Sequence, residues 1–595
     1  MELIGTKDVA KITGMRGSFV GDNAAKLMMS VLKLDKINSI YSRHHTKPAR
    51  VFIDSVLDDT QIRYHFSDMD LARIPSEGSF IIVANHPFGG IEGLILLNKI
   101  LQVRPDFKII GNFLFNHLEP VQEYVFGVNP FEGRKHLFSG FLGLRKAFNH
   151  IKEGHPLAIF PAGEVSTWYN DSRFVADRDW HQSIIRFIRD AEVPVVPVYF
   201  HGGNSRMFHL MGKVHPMLRT ARIPTELLNK QHEIIRVRVG NPIAVKDVPV
   251  FEGADAYGRW LRAKTYLLEA GLDTGKGKLG VLMPLQQAFA PAVPKSILLN
   301  ELRGIAEDCL LYEHGNFSMY CVPSVEIPHI AFEIGRLREV TFRAVGEGTN
   351  MSADIDAFDR YYHQLFIWDH AANCIVGGYR IGKGKEIMAM HGVKGFYINS
   401  LFRISDRMKP LLSESIELGR SFIVREYQRK SMSLFMLWKG ILYFLLKNDE
   451  YRYMIGPVSI SNSYTDLSKK VITEWVLANY KAESLEGYMV PRHSYVPADT
   501  RTDTGILVDN VRSVQALDLL VAEIEPRGMK MPVLLKKYLS LGGKVACFNV
   551  DPQFNNALDA LLLLDLYDVP ADVVHSLSKE LHTDVLPGRR MVKVF

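Results

Sequence analysis

The chain has 595 residues, 47% of them hydrophobic and 23% charged, with a formal net charge of +6. That length exceeds what one hydrophobic core supports, so at least two domains are expected, and the composition is that of an ordinary globular protein rather than a disordered or fibrous one. The mildly basic balance does not by itself point to nucleic acid; on an enzyme it suits an anionic membrane surface or an acidic carrier protein.

Residues 1–50 read as a basic, partly helical segment. Leu27, Met28, Val31 and Leu32 would form an apolar face, either packed on the next domain or laid on a membrane surface. No signal peptide is read here. From 51 to 272, strands at 80–84, 107–111, 157–160, 195–200 and 234–239 alternate with helices at 91–101, 140–152, 179–191 and 256–269, which is an α/β pattern. The first strand ends in Asn85-His86-Pro87-Phe88-Gly89-Gly90, where the residue before proline is pushed out of the helical region. It presents His86 at a strand end with Glu92 six residues on, a fit for a general base and an orienting acid. Phe160-Pro161-Ala162-Gly163-Glu164-Val165-Ser166 repeats the strand-then-glycine-turn design, and Val193 to Tyr199 reads as another buried strand.

Residues 273–297 are rich in glycine, lysine and proline and read as a linker. Gly275, Gly277 and Gly280 match Gly-x-Gly-x-x-Gly, but they follow a helix rather than a strand, so a nucleotide site is not implied. From 298 to 595 a second α/β region is expected, with a helix at 332–344, strands at 365–368, 375–381, 396–399 and 414–424, a long helix at 430–447 and a strand at 453–458. The longest apolar runs, 434–446 and 557–566, are broken by Lys439 and by Asp559 and Asp565. Neither reaches the roughly 18–20 residues of a spanning helix. The expected location is cytoplasmic, peripheral on the inner face of the membrane. Cys309, Cys321, Cys374 and Cys547 include no Cys-x2-Cys pair, and Arg43-His44-His45 lacks further ligands at metal spacing, so neither a metal nor a disulfide framework is expected.

The His86–Glu92 block, the Phe160–Ser166 block and the strand after Val193, in that order, resemble the glycerolipid (PlsC-type) acyltransferases. The usual His-x4-Asp is here His-x5-Glu, and Glu164 stands two places beyond the usual glutamate. The pattern His-Pro-x-Gly-Gly-x-Asp/Glu is that of a branch acylating amino-acid-containing lipids. The second region resembles GNAT-type ornithine-lipid N-acyltransferases, relatives of acyl-homoserine lactone synthases, through Glu417-Leu418-Gly419-Arg420-Ser421, Val424, Tyr427, the block from Pro532 to Gly543, Asp551, Phe554 and Asp559. Together the two halves resemble the fused bifunctional ornithine-lipid synthases.

That resemblance implies N-acylation of an amino acid by the second half with a 3-hydroxyacyl chain, then O-acylation of the 3-hydroxyl by the first. His86 would be the base on that hydroxyl and Glu92 its orienting acid. Gly163 and its neighbouring backbone N–H groups would polarise the donor carbonyl or help bind the donor, Glu164 would position the acceptor or donor, and Arg134 would bind a carboxylate; an ordinary tight turn and a solvated loop arginine are the plain readings. Glu417 would be the charged group near the attacking amine. Arg420 would pair with Glu417 or bind the amino-acid carboxylate. Arg425 and Arg429, before the long helix, would attract the donor's phosphate, although the glycines of a CoA-pyrophosphate loop are absent. Glu339 and Arg343 read as a surface pair, and Asp551 and Asp559 as turn and cap residues. No tightly bound cofactor is implied; the co-substrate is an acyl thioester of acyl carrier protein or CoA, with acyl carrier protein, an anionic membrane and an amino-acid or lyso-lipid substrate as partners. The competing readings are a lysophosphatidate-type acyltransferase with an accessory second domain, and a non-enzymatic, haemolysin-like membrane-active protein.

Overall fold

The structure, a computed structural model, describes residue 29 and residues 33–112, 118–128, 137–168, 174–214, 216–272, 286–428 and 431–570. The expected apolar face at Leu27, Met28, Val31 and Leu32 and the glycines of the linker lie outside these residues. The chain divides into two compact units: Met1–Gly277 together with Asp499–Asn510, and Lys278–Ala498 together with Val511–Phe595.

The first unit begins with helices α1 (Leu34–His44) and α2 (Ala49–Asp59). Strands β1 (Arg63–Phe66) and β2 (Ile81–Ala84), helix α3 (Ile91–Ile100), strands β3 (Lys108–Asn112) and β4 (Val125–Val128), helix α4 (Leu137–Lys152) and strand β5 (Leu157–Ile159) follow. A two-stranded ribbon, β6 (Thr167–Trp168) and β7 (Val175–Ala176), precedes α5 (Gln182–Ala191), β8 (Val195–Phe200), α6 (Arg206–Val214), α7 (Pro216–Leu228), β9 (Ile234–Val239) and α8 (Ala254–Tyr266). Among the described residues, seven strands form one sheet in the order β1-β9-β8-β2-β5-β3-β4. Every neighbouring pair is parallel except β8–β9. β2 is buried on both faces, which is why its sequence is unbroken Ile-Ile-Val-Ala rather than alternating. It lies between β8 and β5, so whatever follows Ala84 emerges at the middle of the sheet's carboxyl edge, the usual place for a site in an α/β sheet. The 499–510 segment contributes a short helix, Thr504–Asp509, that packs on α8; Asp503 pairs with Arg259 at 2.6 Å and Arg501 pairs with Glu269.

The second unit is an eight-stranded sheet among the described residues, ordered β10-β11-β12-β13-β15-β16-β19-β18. Its strands are β10 (Leu310–His314), β11 (Phe317–Pro323), β12 (His363–Asp369), β13 (Cys374–Lys383), β15 (Ser415–Ile423), β16 (Tyr453–Ile460), β18 (Lys544–Asp551) and β19 (Ala557–Asp565). β14 (Phe402–Ile404) and β17 (Met489–Pro491) pair with each other. The helices used below are α9 (Pro328–Ala344), α10 (Ile398–Leu401) and α11 (Ser431–Lys447). Neighbouring strands are antiparallel except β15–β16.

The strand expected at 396–399 is not there: Ile398–Leu401 is helical, and Phe396 and Ile398 are buried against Tyr362, Ile387 and Leu412 in a side core of their own. Their apolar alternation reports burial, not a strand. The apolar run 557–566 is β19, buried along almost its whole length. Among the described residues no helix is long and apolar enough to cross a membrane.

Candidate active sites

At the end of β2 the chain stays tied to the sheet through a side chain. Asn85 Nδ2 donates to the Phe200 carbonyl at 2.9 Å and its Oδ1 accepts from the Phe200 N–H at 2.7 Å, so it extends the β2–β8 contact by one residue. His86 follows, its ring 4.7 Å from that of Phe160 and its Nδ1 3.4 Å from Glu92 Oε1. Glu92, in the first turn of α3 and fully buried, folds back on the loop: Oε1 accepts from the N–H groups of Phe88 (2.5 Å) and Gly89 (3.2 Å), and Oε2 from Gly90 (2.9 Å). One carboxylate thus shapes the Pro-Phe-Gly-Gly turn and faces the imidazole. Gly89 has φ +97°, and a Cβ there would stand 2.8 Å from Val165 of the second block; both its conformation and its packing call for glycine.

Burial pushes the His86 pKa down, but the Glu92 charge and, more weakly, Asp177 outweigh it and leave the ring above its ordinary 6.5. Burial pushes Glu92 up, and His86 with the Phe88 amide more than reverses it, so Glu92 ends below its usual range. His86 Nδ1 is buried, with the Glu92 carboxylate 3.4 Å away as an ion-pair neighbour rather than a closed hydrogen bond, no partner stands at Nε2 among the described residues, and the side chain keeps 18% exposure. A ring with a carboxylate facing Nδ1 and Nε2 left open has the layout of a general base, whose hydrogen bonds often tighten only when substrate is bound.

Sequence reasoning missed Asp177, which joins the two blocks from beneath. Its Oδ1 accepts from the His86 N–H (3.1 Å) and Ser166 Oγ (2.5 Å), and its Oδ2 from Trp180 Nε1 (3.3 Å). Its own N–H donates to the Tyr266 hydroxyl at 2.7 Å, and the Ser166 N–H donates to the His86 carbonyl at 2.9 Å. The only local signal was a carboxylate in an otherwise apolar Val175-Ala176-Asp177 stretch. Gly163 adopts φ +65° and its N–H donates to the Phe160 carbonyl. That amide closes the turn, so a polarising role would fall to the neighbouring N–H groups. Glu164 is half-buried, 3.4 Å from Arg178 Nε. Arg134 lies outside the described residues.

In the second unit β15 and β16 pair in parallel only at Ser415↔Tyr453, Ile416↔Met454 and Glu417↔Ile455. Beyond that point the two strands separate, while β15 stays on β13 as far as Ile423 and β16 stays on β19 as far as Ile460. A V-shaped gap opens, lined by two backbone edges whose N–H and C=O groups have no ladder between them; an extended amide-bearing chain satisfies such edges. Gly456 sits at its apex, where a Cβ would collide with the Leu418 carbonyl oxygen. On β15 the register to β13 shifts by one residue beside Arg420, which takes φ +54°. This is a bulge that re-aims the side chain.

Glu417 is buried beside the apex. Tyr362 OH donates to its Oε2 at 2.5 Å, as does the Tyr397 N–H at 3.0 Å, and the Ile398 N–H donates to Oε1 at 2.7 Å. Burial raises its pKa to about 7, while these donors pull the other way. Arg420 does not pair with Glu417. It pairs with Asp354 (3.0 Å) and Asp356 (3.3 Å) and lies 4.6 Å from the ring centres of Tyr397 and Phe554. Arg380 pairs with Asp356 (2.6 Å) and Asp359 (3.2 Å), and Arg338 with Asp354 (3.0 Å) and Asp359 (3.0 Å). Three arginines and three aspartates thus close a buried network under the gap, of which sequence reasoning found only Arg420. Arg425 is exposed, and Arg429 lies outside the described residues.

Two further readings are corrected. Glu339 does pair with Arg343 at 2.8 Å, but it is fully buried and also accepts from the Thr349 N–H and hydroxyl and the Asn350 N–H; helical spacing showed the pair but not which way it faced. Asp559 is no cap: it lies inside β19, opposite Ser459 and Asn549. Asp551 does cap a turn, accepting from the Gln553 N–H at 2.9 Å. Among the described residues no His/Cys/Asp/Glu group has metal-holding geometry.

Comparisons with known proteins match stretches of both halves of the chain. Residues 15–275 match the family model described as Acyltransferase, and residues 337–439 match that of the Acetyltransferase (GNAT) domain. A glycine N(alpha)-acyltransferase of Bacteroides thetaiotaomicron is 28% identical over 270 residues, covering 43% of this chain and 80% of that protein. A lyso-glycine lipid O-acyltransferase of the same organism is 24% identical over 248 residues, 40% of this chain and 88% of that protein. The solved 1-acyl-sn-glycerophosphate acyltransferase PlsC of Thermotoga maritima aligns with 16% identity over 42% of this chain and 82% of its own, at a TM-score of 0.23. The chain is an acyltransferase that joins an N-terminal acyltransferase domain to a C-terminal GNAT domain.

Proposed function

We propose that the protein makes an amino-acid lipid in two steps. The GNAT half transfers a 3-hydroxyacyl chain from a thioester to the amine of an amino acid, glycine or ornithine, and the PlsC-like half esterifies the new lipid's 3-hydroxyl with a second acyl chain. The observation that supports this reading is the presence in one chain of two separate candidate sites, His86–Glu92 and the β15–β16 gap, together with relatives named for the N- and the O-acylating step. The product of one site is the substrate class of the other.

In the first site the open Nε2 of His86 takes the hydroxyl proton as the oxygen attacks the thioester carbonyl, and Glu92 stabilises the imidazolium that forms. In the second, the gap between β15 and β16 receives the donor's amide-bearing arm, and Glu417 holds Tyr397 and Ile398 at its rim. The net charge of +6 suits acyl carrier protein as donor and an anionic membrane face as the lipid's source; the exposed Arg425 would serve the carrier's phosphate.

The test is expression in a bacterium that makes no amino-acid lipid, followed by lipid mass spectrometry of the wild type and His86→Ala. A diacylated amino-acid lipid, replaced in the variant by its monoacylated form, is expected, and the head-group mass separates glycine from ornithine. No amino-linked lipid, with the protein expressed and both amino acids supplied, would refute the reading.

A further inference from the structure

Beside the β15–β16 gap the charges do not cancel. Arg338, Arg380 and Arg420 are matched by Asp354, Asp356 and Asp359. Asp551 and Asp559 stand within reach of the Arg420 charge, and Glu347 stands near Asp559; none of these three carboxylates has such a match. Antiparallel register puts Asp559 directly opposite Ser459, so the two side chains share a face, and Ser459 Oγ donates to Glu347 Oε2 at 2.9 Å. Asp551 lies on the neighbouring strand, and Phe554, three residues on, carries the Arg420 guanidinium on its ring. None of the three makes an ion pair among the described residues.

Asp559 is the telling member. It is 6% exposed and accepts no hydrogen bond among the described residues. A buried carboxylate without a donor is costly, and such a group in a native fold calls for an explanation, such as a catalytic role or a bound ion. The groups facing it are Glu347, Asp551 and Arg420, with Tyr397 close to Asp551 and Asp559 and His493 close to Asp551. Burial first, then Asp551 and Glu347, hold Asp559 well above the usual carboxylate range, as expected of a group awaiting a cation.

We infer that Glu347, Asp551 and Asp559 form the binding site for the primary ammonium group of the amino-acid acceptor, with Asp559 the carboxylate that takes its proton. This rests on the N-acylating reading of the second unit and assigns its acceptor site. The ammonium gives one proton to Asp559 and becomes a neutral amine. The amine nitrogen attacks the thioester carbonyl carbon, the C–N bond forms and the C–S bond breaks. The second proton passes from nitrogen to the departing thiolate, and Asp559 returns its proton to solvent. A carboxylate whose proton affinity is raised is the better acceptor for this step.

The test uses the full-length protein, a 3-hydroxyacyl thioester of acyl carrier protein, and glycine and ornithine as acceptors, with thiol release as the kinetic readout and calorimetry for amino-acid binding. Asp559→Asn is expected to weaken amino-acid binding and lower kcat/KM for it by about 10- to 100-fold, the cost of one lost charge-assisted hydrogen bond. Its thermal midpoint is expected to equal or exceed that of the wild type, because a neutral amide is no costlier to bury beside Asp551 and Glu347 than the carboxyl it replaces. Asp559→Glu is expected to recover part of the activity. Unchanged kcat/KM and binding in Asp559→Asn would overturn the inference, as would a lowered midpoint with activity that Asp559→Glu does not recover. A wild type that binds the amino acid through Asp559 but transfers no acyl chain to it would refute the N-acylating reading and leave the ammonium site standing; a wild type that binds neither amino acid would overturn both.

Discussion

Replacing Glu92 by glutamine tests the first site most directly, because the change is nearly isosteric and its two consequences separate. Glu92 accepts three loop N–H groups on two oxygens. Glutamine keeps one carbonyl oxygen for Phe88 and Gly89 but turns its NH2 toward the Gly90 N–H, and leaving that buried donor unpaired costs about 1–3 kcal/mol. The second consequence is electrostatic. The carboxylate 3.4 Å from Nδ1 is the largest influence raising the His86 pKa against the burial that lowers it. An opposite charge at such range shifts a pKa by about 1–3 units. Because Glu92 raises the pKa, its removal lowers it. The neutral imidazole is the base, so kcat/KM for O-acylation climbs with pH through the His86 pKa of the free enzyme. The wild-type inflection is therefore expected above 6.5, and that of Glu92→Gln lower by about 1–3 units. The plateau should fall by about 10²- to 10⁴-fold, the usual contribution of an oriented general base. Thiol release with a monoacylated amino-acid lipid as acceptor, measured from about pH 5 to 9, gives both numbers. A plateau that falls while the inflection stays in place would refute the pairing and reduce Glu92 to a loop brace.

Asp177→Asn should move the inflection less than Glu92→Gln, since Asp177 is the weaker influence on His86, yet it should lower the melting midpoint by stranding the Trp180 indole N–H, at about 1–3 kcal/mol; a larger inflection shift than in Glu92→Gln would contradict the assignment of roles. Gly456→Ala puts a methyl against the Leu418 carbonyl at the apex of the gap. The expected loss is about 1–3 kcal/mol of stability and all N-acylation, with O-acylation of supplied monoacyl lipid retained; intact N-acylation would show that the gap is not the donor's place. A fragment ending at residue 277 lacks the 499–510 segment that belongs to its unit and leaves the Thr504–Asp509 face of α8 bare. It should melt below the full chain's first unit, and a synthetic 499–510 peptide should raise that midpoint; no response to the peptide would count against the segment's structural role.

What was legible in the sequence is what local chemistry dictates. The turn at His86 announces itself because a fully buried strand, a pre-proline residue and two glycines are contiguous, and Glu92 reaches the imidazole within the same loop. Asp177 is invisible to such reading: it meets the His86 amide across 91 positions, and nothing in either segment marks the other. The same holds for Asp354, Asp356, Asp359, Arg338 and Arg380, gathered around Arg420 from three other elements. Glu417 stood out as a charge in an apolar strand, but its donors, Tyr362 and the amides entering α10, come from a stretch whose alternating Phe396 and Ile398 mimic a strand. Asp559 is the instructive case. A carboxylate in the middle of Ala557–Asp565 was read as the interruption of an apolar run, as one of the residues carrying the family resemblance and as a turn or cap residue, but not as a charge inside a buried strand. Read as a strand, the same run places that carboxylate at a buried, two-sided position where no charge survives without a purpose. Period-two patterning identifies which face a residue takes only once the strand is recognised as one, and a strand buried on both faces has no alternation to be recognised by.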